Sequence, residues 1–433
     1  MIRFIYNLLW PIGLLFFLPG YFMKMIRRGG YREKFGQRLG IYDRELRGRL
    51  SKQESTWLHA VSVGEVNIAF KLVHALRTLE PDLRCVLTTT TTTGFALATK
   101  NAPPWVEVMY TPLDYWPVMR RAFSVIRPTR ILLIEAEVWP NLVALAWESR
   151  IPAALVNARL SPRSESRFRR FRFFVAPTFR RLNLVCAQEL KDVDRWAMLG
   201  VARDRIRAVG SIKYDPDGRD QGLAAQQNAQ RCGFDFAQRE RPVLFGGSTH
   251  RGEEEILATI FLRLRQQFPS LQLFIAPRHV ERLREIRTRL DAFPFRVALA
   301  SEVAIDRKLD PDCILLDTTG ELHRWYSIAT IVFIGKSLTA HGGQNPVEPI
   351  MAGKPVVFGP HMENFGTLAK ALVLKQGAIQ VDDIDSLERT IAGLLRDGEA
   401  RQRFVLSARE VLSKHQGATA RAAALIHKLN SNL

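Results

Sequence analysis

Charged and glycine residues recur where short apolar runs end, and their types suggest chemistry on an anion. In FGGSTHRGEEE (245–255), Gly246, Gly247 and Ser248 read as a glycine turn able to present backbone N–H groups to a phosphate. IAPRHVER (275–282) sets Arg278 and His279 after an apolar run, and DTTGEL (317–322) sets Gly320 just before Glu321. In FIGKSLTAHGGQNPVEP (333–349) a Gly342–Gly343 turn leads into Gln344, Asn345, Pro346 and Glu348, with proline at a helix start, where its missing N–H costs nothing. Backbone amides there suit a phosphate, and Glu348 can accept hydrogen bonds from ribose hydroxyls. A single glycine turn is usually only a turn; this series at successive strand ends describes a nucleotide pocket.

The first half of the chain offers different groups. TWLHAVSVGEV (56–66) has the strand, glycine turn and helix start of a phosphate cradle, yet Glu65 stands at the helix start, where a carboxylate repels an anion. In LLIEAEVWPN (132–141), Glu135 and Glu137 follow an apolar run, and strand alternation turns both to one face. One reads as a cap for the helix beginning near Trp139, the other as a functional candidate, because paired carboxylates at a buried strand end are costly without partners. Six threonines, Thr88 to Thr93, precede Gly94 and read first as helix capping. AVGSIKYD (208–215) puts Lys213 where the two halves join. No HExxH, no Cys/His cluster, no GxSxG and no Walker-type loop occurs, so no metal or cofactor is expected. Cys85, Cys186, Cys232 and Cys313 are scattered and read as buried reduced thiols.

Strand-like runs must hold these residues in place. The first half supplies TWLHAVS, RCVLTTT, VEVMYTP, RILLIEAE, PAALVNA, LNLVCAQ and RIRAVGS; the second supplies PVLFGGS, LQLFIAP, RVALA, CILLD, IATIVFIG and PVVFG. Short strands apolar on both faces, alternating with helical stretches, argue for two parallel sheets covered on both sides. The fold class is α/β, two Rossmann-like doubly wound domains facing a cleft, with an N-terminal anchor helix. The expected division is 1–25 anchor, 26–212 first domain and 213–433 second domain, with a polar, turn-rich join over 215–241. Ligands of such sheets bind at the carboxyl ends of the strands.

A net charge of +19 calls for an anionic partner: nucleic acid, an anionic membrane or a phosphorylated substrate. Phe4 to Met23 is almost wholly apolar, although Pro11 and Pro19 interrupt it, so it either spans a bilayer or lies in its interface. Lys24, Arg27, Arg28, Arg32, Lys34 and Arg38 follow as a basic flank that stays cytoplasmic. NARLSPRSESRFRRFRFF (157–174) interleaves Arg159, Arg163, Arg167, Arg169, Arg170 and Arg172 with Phe168, Phe171, Phe173 and Phe174. A solvated helix face is the plain reading of that segment. Beside an apolar anchor, an anionic lipid surface is preferred over nucleic acid.

The motifs SVGE, EAEVWPN, NARLS, GSIKYD, STHRGEE, PRHVER, DTTGEL, GGQNPVEP and GPHMENF run in one order to about residue 420. In them the chain resembles the Kdo (3-deoxy-D-manno-octulosonic acid) transferases of Gram-negative bacteria. The resemblance implies a metal-independent, inverting glycosyltransferase of the GT-B fold, moving Kdo from CMP-Kdo to the lipid A precursor lipid IVA in lipopolysaccharide assembly. Its place would be the cytoplasmic side of the inner membrane, with no cofactor and no nucleic acid. By the same resemblance Glu65 is the general base, and Glu135 and Lys213 stabilise the transition state. CMP falls to Pro277, Arg278, Thr319, Gly320, Glu321, Asn345, Pro346, Val347 and Glu348. The chain departs from the family pattern at Thr319, often methionine, at Gln344, often histidine, and at Lys336, usually glycine. A transferase of the same fold using a UDP-sugar and a membrane-tethered nucleic-acid-binding protein are the rival readings, though no nucleic-acid module is visible.

Overall fold

A computed structural model describes residues 3–10, 13, 34–51, 54–160, 162–215, 241–306, 309–318 and 322–431. Thr319, Gly320 and Glu321, Cys232, most of the apolar N-terminal stretch and most of its basic flank lie outside the described residues.

Two compact units are present, one of 1–215 with 415–433 and one of 216–414. The sheet of the first unit contains β1 (Ser55–His59), β2 (Cys85–Thr89), β3 (Val106–Tyr110), β4 (Pro128–Ile134), β5 (Ala153–Ala158), β6 (Leu184–Ala187) and β7 (Ile206–Ala208). Its order is β3-β2-β1-β4-β5-β6-β7, with every pairing parallel. The sheet of the second unit contains β8 (Val243–Thr249), β9 (Gln272–Pro277), β10 (Val297–Leu299), β11 (Cys313–Leu315), β12 (Ile331–Ile334), β13 (Val356–Phe358) and β14 (Ile379–Gln380). Its order is β10-β11-β9-β8-β12-β13-β14, again parallel throughout. All the expected strands form. The two-residue β14 has no apolar run to announce it.

The helices that matter for function are α1 (Val63–Leu79), α2 (Thr92–Asn101), α3 (Pro140–Glu148), α4 (Pro162–Arg170), α5 (Arg172–Phe179), α6 (Glu253–Arg265), α7 (Val347–Met351) and α8 (Ala418–Ser431). In α1, Val66, Ile68, Ala69, Leu72, Val73 and Leu76 recur at helical spacing, and all are buried against one face of the first sheet. Thr91 caps α2, its hydroxyl oxygen accepting from the Gly94 amide at 3.1 Å, as the threonine run suggests. Cys85, Cys186 and Cys313 are buried free thiols.

Two expectations change. The chain does not stay in the second unit after residue 212, because α8 returns to the first. Ala422, Ala423 and Ile426 of α8 are buried in the same cluster as the inner face of α1. The pairing is reinforced where α1 ends: Glu80 accepts two bonds from the fully buried Arg130 guanidinium, at 2.9 and 2.7 Å, and lies 2.8 Å from His427 Nδ1. Gly246 and Gly247 are not a turn. They lie inside β8, where an added Cβ would come within 2.5 Å of Leu257 and of the Tyr326 hydroxyl respectively, so close packing selects glycine. Of the basic flank, Arg38 is drawn into the first unit. It is buried, donates to the Thr90 carbonyl at 2.7 Å, and stacks 4.2 Å from the Tyr110 ring centre.

Among the described residues no helix is long and apolar enough to cross a membrane. Residues 3–10 form a helix whose polar side is held by the first unit. Tyr6 donates to Asp114 at 3.0 Å, Asn7 and Arg3 bond Asn141, and Arg3 pairs with Glu148. Phe4, Leu8 and Leu9 are left exposed.

Because α8 completes the first core, Ile426→Ala should destabilise that unit by about 2–5 kcal/mol. Hydrogen exchange should accelerate across α1 while β8 to β14 keep their protection. Unchanged protection in α1 would mean that α8 contributes little to that core.

Candidate functional site

In the first sheet β1 and β4 are neighbours, and the chain order reverses between them. Loops leaving the carboxyl ends of two such strands diverge and open a crevice. Glu65 enters it from the first turn of α1. Its Oε2 accepts from the Val61 amide at 2.7 Å and its Oε1 from the Ser62 hydroxyl at 3.0 Å. The carboxylate thus satisfies a backbone donor just ahead of the helix and stays oriented over the end of β1. Burial pushes its pKa up to about 7, the Val61 amide opposes that shift, and the Glu135 charge adds to it. A helix N-terminus favours the ionised carboxylate, but desolvation outweighs it here.

Glu135 follows β4 directly. Its N–H still donates to Val156 of β5 at 2.9 Å, but its φ is +62°. A left-handed non-glycine residue costs about 1–3 kcal/mol and persists only where its surroundings impose it. The strand has ended, so alternation no longer sets the direction of Glu135 or Glu137. Nor does Glu137 cap α3: that carboxylate is Asp114, accepting from the Asn141 and Leu142 amides, each at 2.9 Å. Burial raises the Glu137 pKa and the neighbouring Glu135 charge raises it further.

His59, at the end of β1, stands behind this loop. It is fully buried, and burial lowers its pKa to about 4. Its Nε2 accepts from the Trp139 indole at 3.1 Å, which leaves the ring proton on Nδ1, 3.2 Å from the Thr88 hydroxyl. The neutral ring fixes Trp139 beside the Glu135–Glu137 turn. Nothing in the sequence distinguishes it from a core histidine.

Lys213 belongs to the first unit, not to the second as expected. The turn that carries it is gripped from two sides. Asn157, at φ +55° and fully buried, accepts from the Ile212 amide at 3.0 Å and the Ser211 hydroxyl at 3.3 Å. From the returning C-terminal segment, His415 Nδ1 accepts from the Ser211 amide at 3.1 Å. The Asp215 carboxylate accepts from Gly417 and Thr419, both at 2.7 Å. Burial lowers the Lys213 pKa; Glu135 opposes the shift and Arg159 adds to it. Glu65 and Lys213 therefore both feel Glu135. Asn157 and Asp215 lie in quoted motifs, yet Asn157 acts on a turn 54–55 residues on and Asp215 on a segment 202–204 residues away, which no local pattern reveals.

The second sheet has the same reversal between β8 and β12. Glu253, the first residue of α6, is fully buried there. It accepts from His250 at 2.8 Å, Lys336 at 2.7 Å, Ser337 at 3.0 Å and Leu338 at 3.1 Å, tying the two loops together. Lys336 has φ +57°, which explains why glycine suits that position. Pro277 is buried at the end of β9, while Arg278 is exposed and donates its amide to Thr249 at 3.0 Å. Gln344 to Glu348 lead into α7. Asn345 accepts from the Val347 amide at 3.0 Å and donates to Glu348 at 3.0 Å, while Pro346 and Val347 are buried. Arg278 and Asn345, on loops, and Glu348, in the first turn of α7, thus stand beyond the carboxyl ends of strands of one sheet.

Residues 33–216 match the family model described as 3-Deoxy-D-manno-octulosonic-acid transferase (kdotransferase). The 3-deoxy-D-manno-octulosonic acid transferase of Haemophilus influenzae is 32% identical over 392 residues, covering 90% of each chain. That of Bordetella pertussis is 32% identical over 374 residues, covering 84% of this chain and 85% of its own. A crystal structure of a glycosyltransferase from Rickettsia africae superposes with a TM-score of 0.51 at 10% identity, covering 87% of this chain and 99% of that one. With the sheet orders above, this likeness is to the GT-B architecture.

The Glu65 carboxyl should titrate near pH 7 in carbon-13 spectra of the labelled protein. Glu135→Gln, by removing a like charge, should move that midpoint down. A Glu65 midpoint in the ordinary carboxylate range would show that the crevice is wetter than its burial implies.

Proposed function

The chain belongs to the 3-deoxy-D-manno-octulosonic acid transferase family, and from that premise we propose that it transfers Kdo from CMP-Kdo to the lipid A precursor lipid IVA, with inversion, in lipopolysaccharide assembly. The observation that carries the reading is the crevice at β1 and β4, where Glu65 is held by Val61 and Ser62 beside Glu135, whose charge Lys213 also feels. Glu65 takes the proton from the attacking sugar hydroxyl. The hydroxyl oxygen bonds to the anomeric carbon of Kdo as the bond from that carbon to the CMP phosphate breaks, and CMP leaves with the electron pair. A base with a pKa near the working pH suits this step, because enough of it is ionised and it still accepts a proton readily. Lys213 offsets the negative charge that grows on the leaving phosphate, and Glu135 holds the ammonium group in position by its own charge. These steps need no metal ion.

The donor is held by the second unit. Arg278 grips phosphate, and Asn345 and Glu348 meet the nucleoside hydroxyls, with Pro277, Pro346 and Val347 shaping the loop. Thr319, Gly320 and Glu321 complete this set in the proposal. The acceptor lipid lies in a membrane, and the first unit carries features that suit its surface. Phe171, Phe173 and Phe174 are exposed among Arg167, Arg169, Arg170 and Arg172 at the end of α4 and start of α5. Phe168 is different: its ring packs 5.5 Å from Phe179 and belongs to the core. The exposed apolar side of helix 3–10 supplies a second attachment, and two signals together give stable binding at the cytoplasmic face of the inner membrane.

Incubation with CMP-Kdo and lipid IVA, followed by mass spectrometry, should show the acceptor gaining Kdo; no gain, or gain from a UDP-sugar instead, would overturn the proposal. The initial rate should rise with pH through about 7 as Glu65 ionises. Glu65→Gln should lower turnover by about 10²–10⁴-fold, with CMP affinity intact, whereas Glu348→Ala should weaken CMP binding. A chain lacking residues 1 to 25 should still bind anionic vesicles, less so as salt rises. Salt-insensitive binding would remove the arginine–phenylalanine segment from the lipid surface.

A further inference from the structure

His341 and His361 stand on separate loops that leave the carboxyl ends of the adjacent strands β12 and β13. The fold brings them together with Glu363. His341 Nδ1 lies 3.2 Å and His361 Nδ1 3.4 Å from the same oxygen, Glu363 Oε1, and the two ring centres are 3.9 Å apart. All three donor atoms lie within 4.8 Å of one another. A tetrahedral ion with bonds of about 2.0–2.1 Å to nitrogen and oxygen has ligand–ligand edges of about 3.3 Å. Two of the three edges therefore already have the required length.

The other carboxylate oxygen, Oε2, accepts from the Gly342 amide at 2.6 Å. A ligand whose second oxygen is fixed by backbone is oriented before any ion arrives. We propose that His341, His361 and Glu363 form a site for a divalent transition-metal ion of the zinc class, which clasps the Gly342–Gly343 turn to the segment after β13. Two imidazoles with one carboxylate favour zinc, nickel or copper over magnesium or calcium, which prefer oxygen. His341 and Glu363 are exposed, so the ion exchanges with solvent and water completes its coordination.

The turn that would be clasped is already shaped for one position. Gly342 and Gly343 have φ of +123° and +66°, and an added Cβ would meet Asn364 at 2.8 Å and Met362 at 2.4 Å. The Gly342 carbonyl accepts from the Asn364 amide at 2.8 Å, and the Gly343 amide donates to Lys336 at 2.8 Å. Beyond this turn come Asn345 and Glu348. The ion takes no part in the transfer; it stiffens the loop that leads into the donor residues and so tightens nucleotide binding. That consequence rests on the donor-site reading above, whereas the metal site itself does not.

Zinc titration by calorimetry into metal-stripped, tag-free full-length chain should give one site, and cobalt(II) in its place should give the visible bands of tetrahedral coordination. His341→Ala and Glu363→Gln should each weaken that site by about 10-fold or more while leaving the melting temperature without metal unchanged. No binding, or the same binding in both variants, would overturn the site. Adding zinc should tighten CMP binding in the parent and not in His341→Ala. If zinc binds at the triad and CMP affinity does not move, the coupling to the donor loop fails and the metal site stands. Absence of CMP binding under every condition would instead count against the donor assignment.

Discussion

Each sheet reverses its strand order at one central pair, β1 with β4 and β8 with β12, and the candidate chemistry follows from that constraint. Neighbouring parallel strands whose chains depart to opposite faces leave no loop lying across their carboxyl ends. The gap must then be furnished by side chains that reach back from helix starts. In the first sheet Glu65 does so by bonding Val61 and Ser62. In the second, Glu253 does so by gathering four amides from two loops. The two carboxylates occupy equivalent places in the topology but have different environments. Glu253 is sealed and its lone pairs are spent on backbone. Glu65 is poorly solvated beside other carboxylates and holds its proton to near neutrality.

Backbone strain gathers at the same ends. Glu135, Asn157, Ser248 and Lys336 all have positive φ, and all lie at or just beyond the carboxyl end of a strand. Each redirects the chain in one step where a longer loop would fill the crevice. Such residues survive because bonds on either side hold them: Glu135 to Val156, Asn157 to the 211–212 turn, Lys336 to Glu253. The left-handed conformation at Lys336 also makes sense of a departure from the family pattern, since a lysine there carries a modest backbone penalty that glycine would avoid.

The sheets were legible in the sequence because both faces of every central strand are buried, leaving unbroken apolar runs with polar punctuation. That Glu65, Glu135 and the Asn345–Glu348 segment lie beyond strand ends was legible for a related reason: polar residues that end such a run must face a crevice or a helix start. Reading failed where one residue type serves two purposes. Gly246 and Gly247 look like a turn but are glycine to admit Leu257 and Tyr326. One of Glu135 and Glu137 looks like the cap of α3, but Asp114, on a different loop, accepts from its first amides. The place of Lys213 and the division of the chain depended on α8, whose apolar face is an ordinary helical stripe and carries no sign of which core it joins. His341, His361 and Glu363 meet only because β12 and β13 are neighbours.

The return of α8 to the first unit also bears on the order in which the protein can be made. A ribosome releases residues 1–215 well before 415–433, and the 199 residues between them build a different unit. At about 5–20 residues per second that interval lasts on the order of 10–40 s. During it the apolar seat of Ala422, Ala423 and Ile426 against α1 is open, and the Arg130–Glu80 pair waits for His427. The turn carrying Lys213 likewise lacks the amides of Gly417 and Thr419 that fix Asp215. The second unit, whose core draws on a continuous stretch of chain, can close first. The nascent first unit therefore keeps the turn carrying Lys213 unset until residues 415–431 have been made.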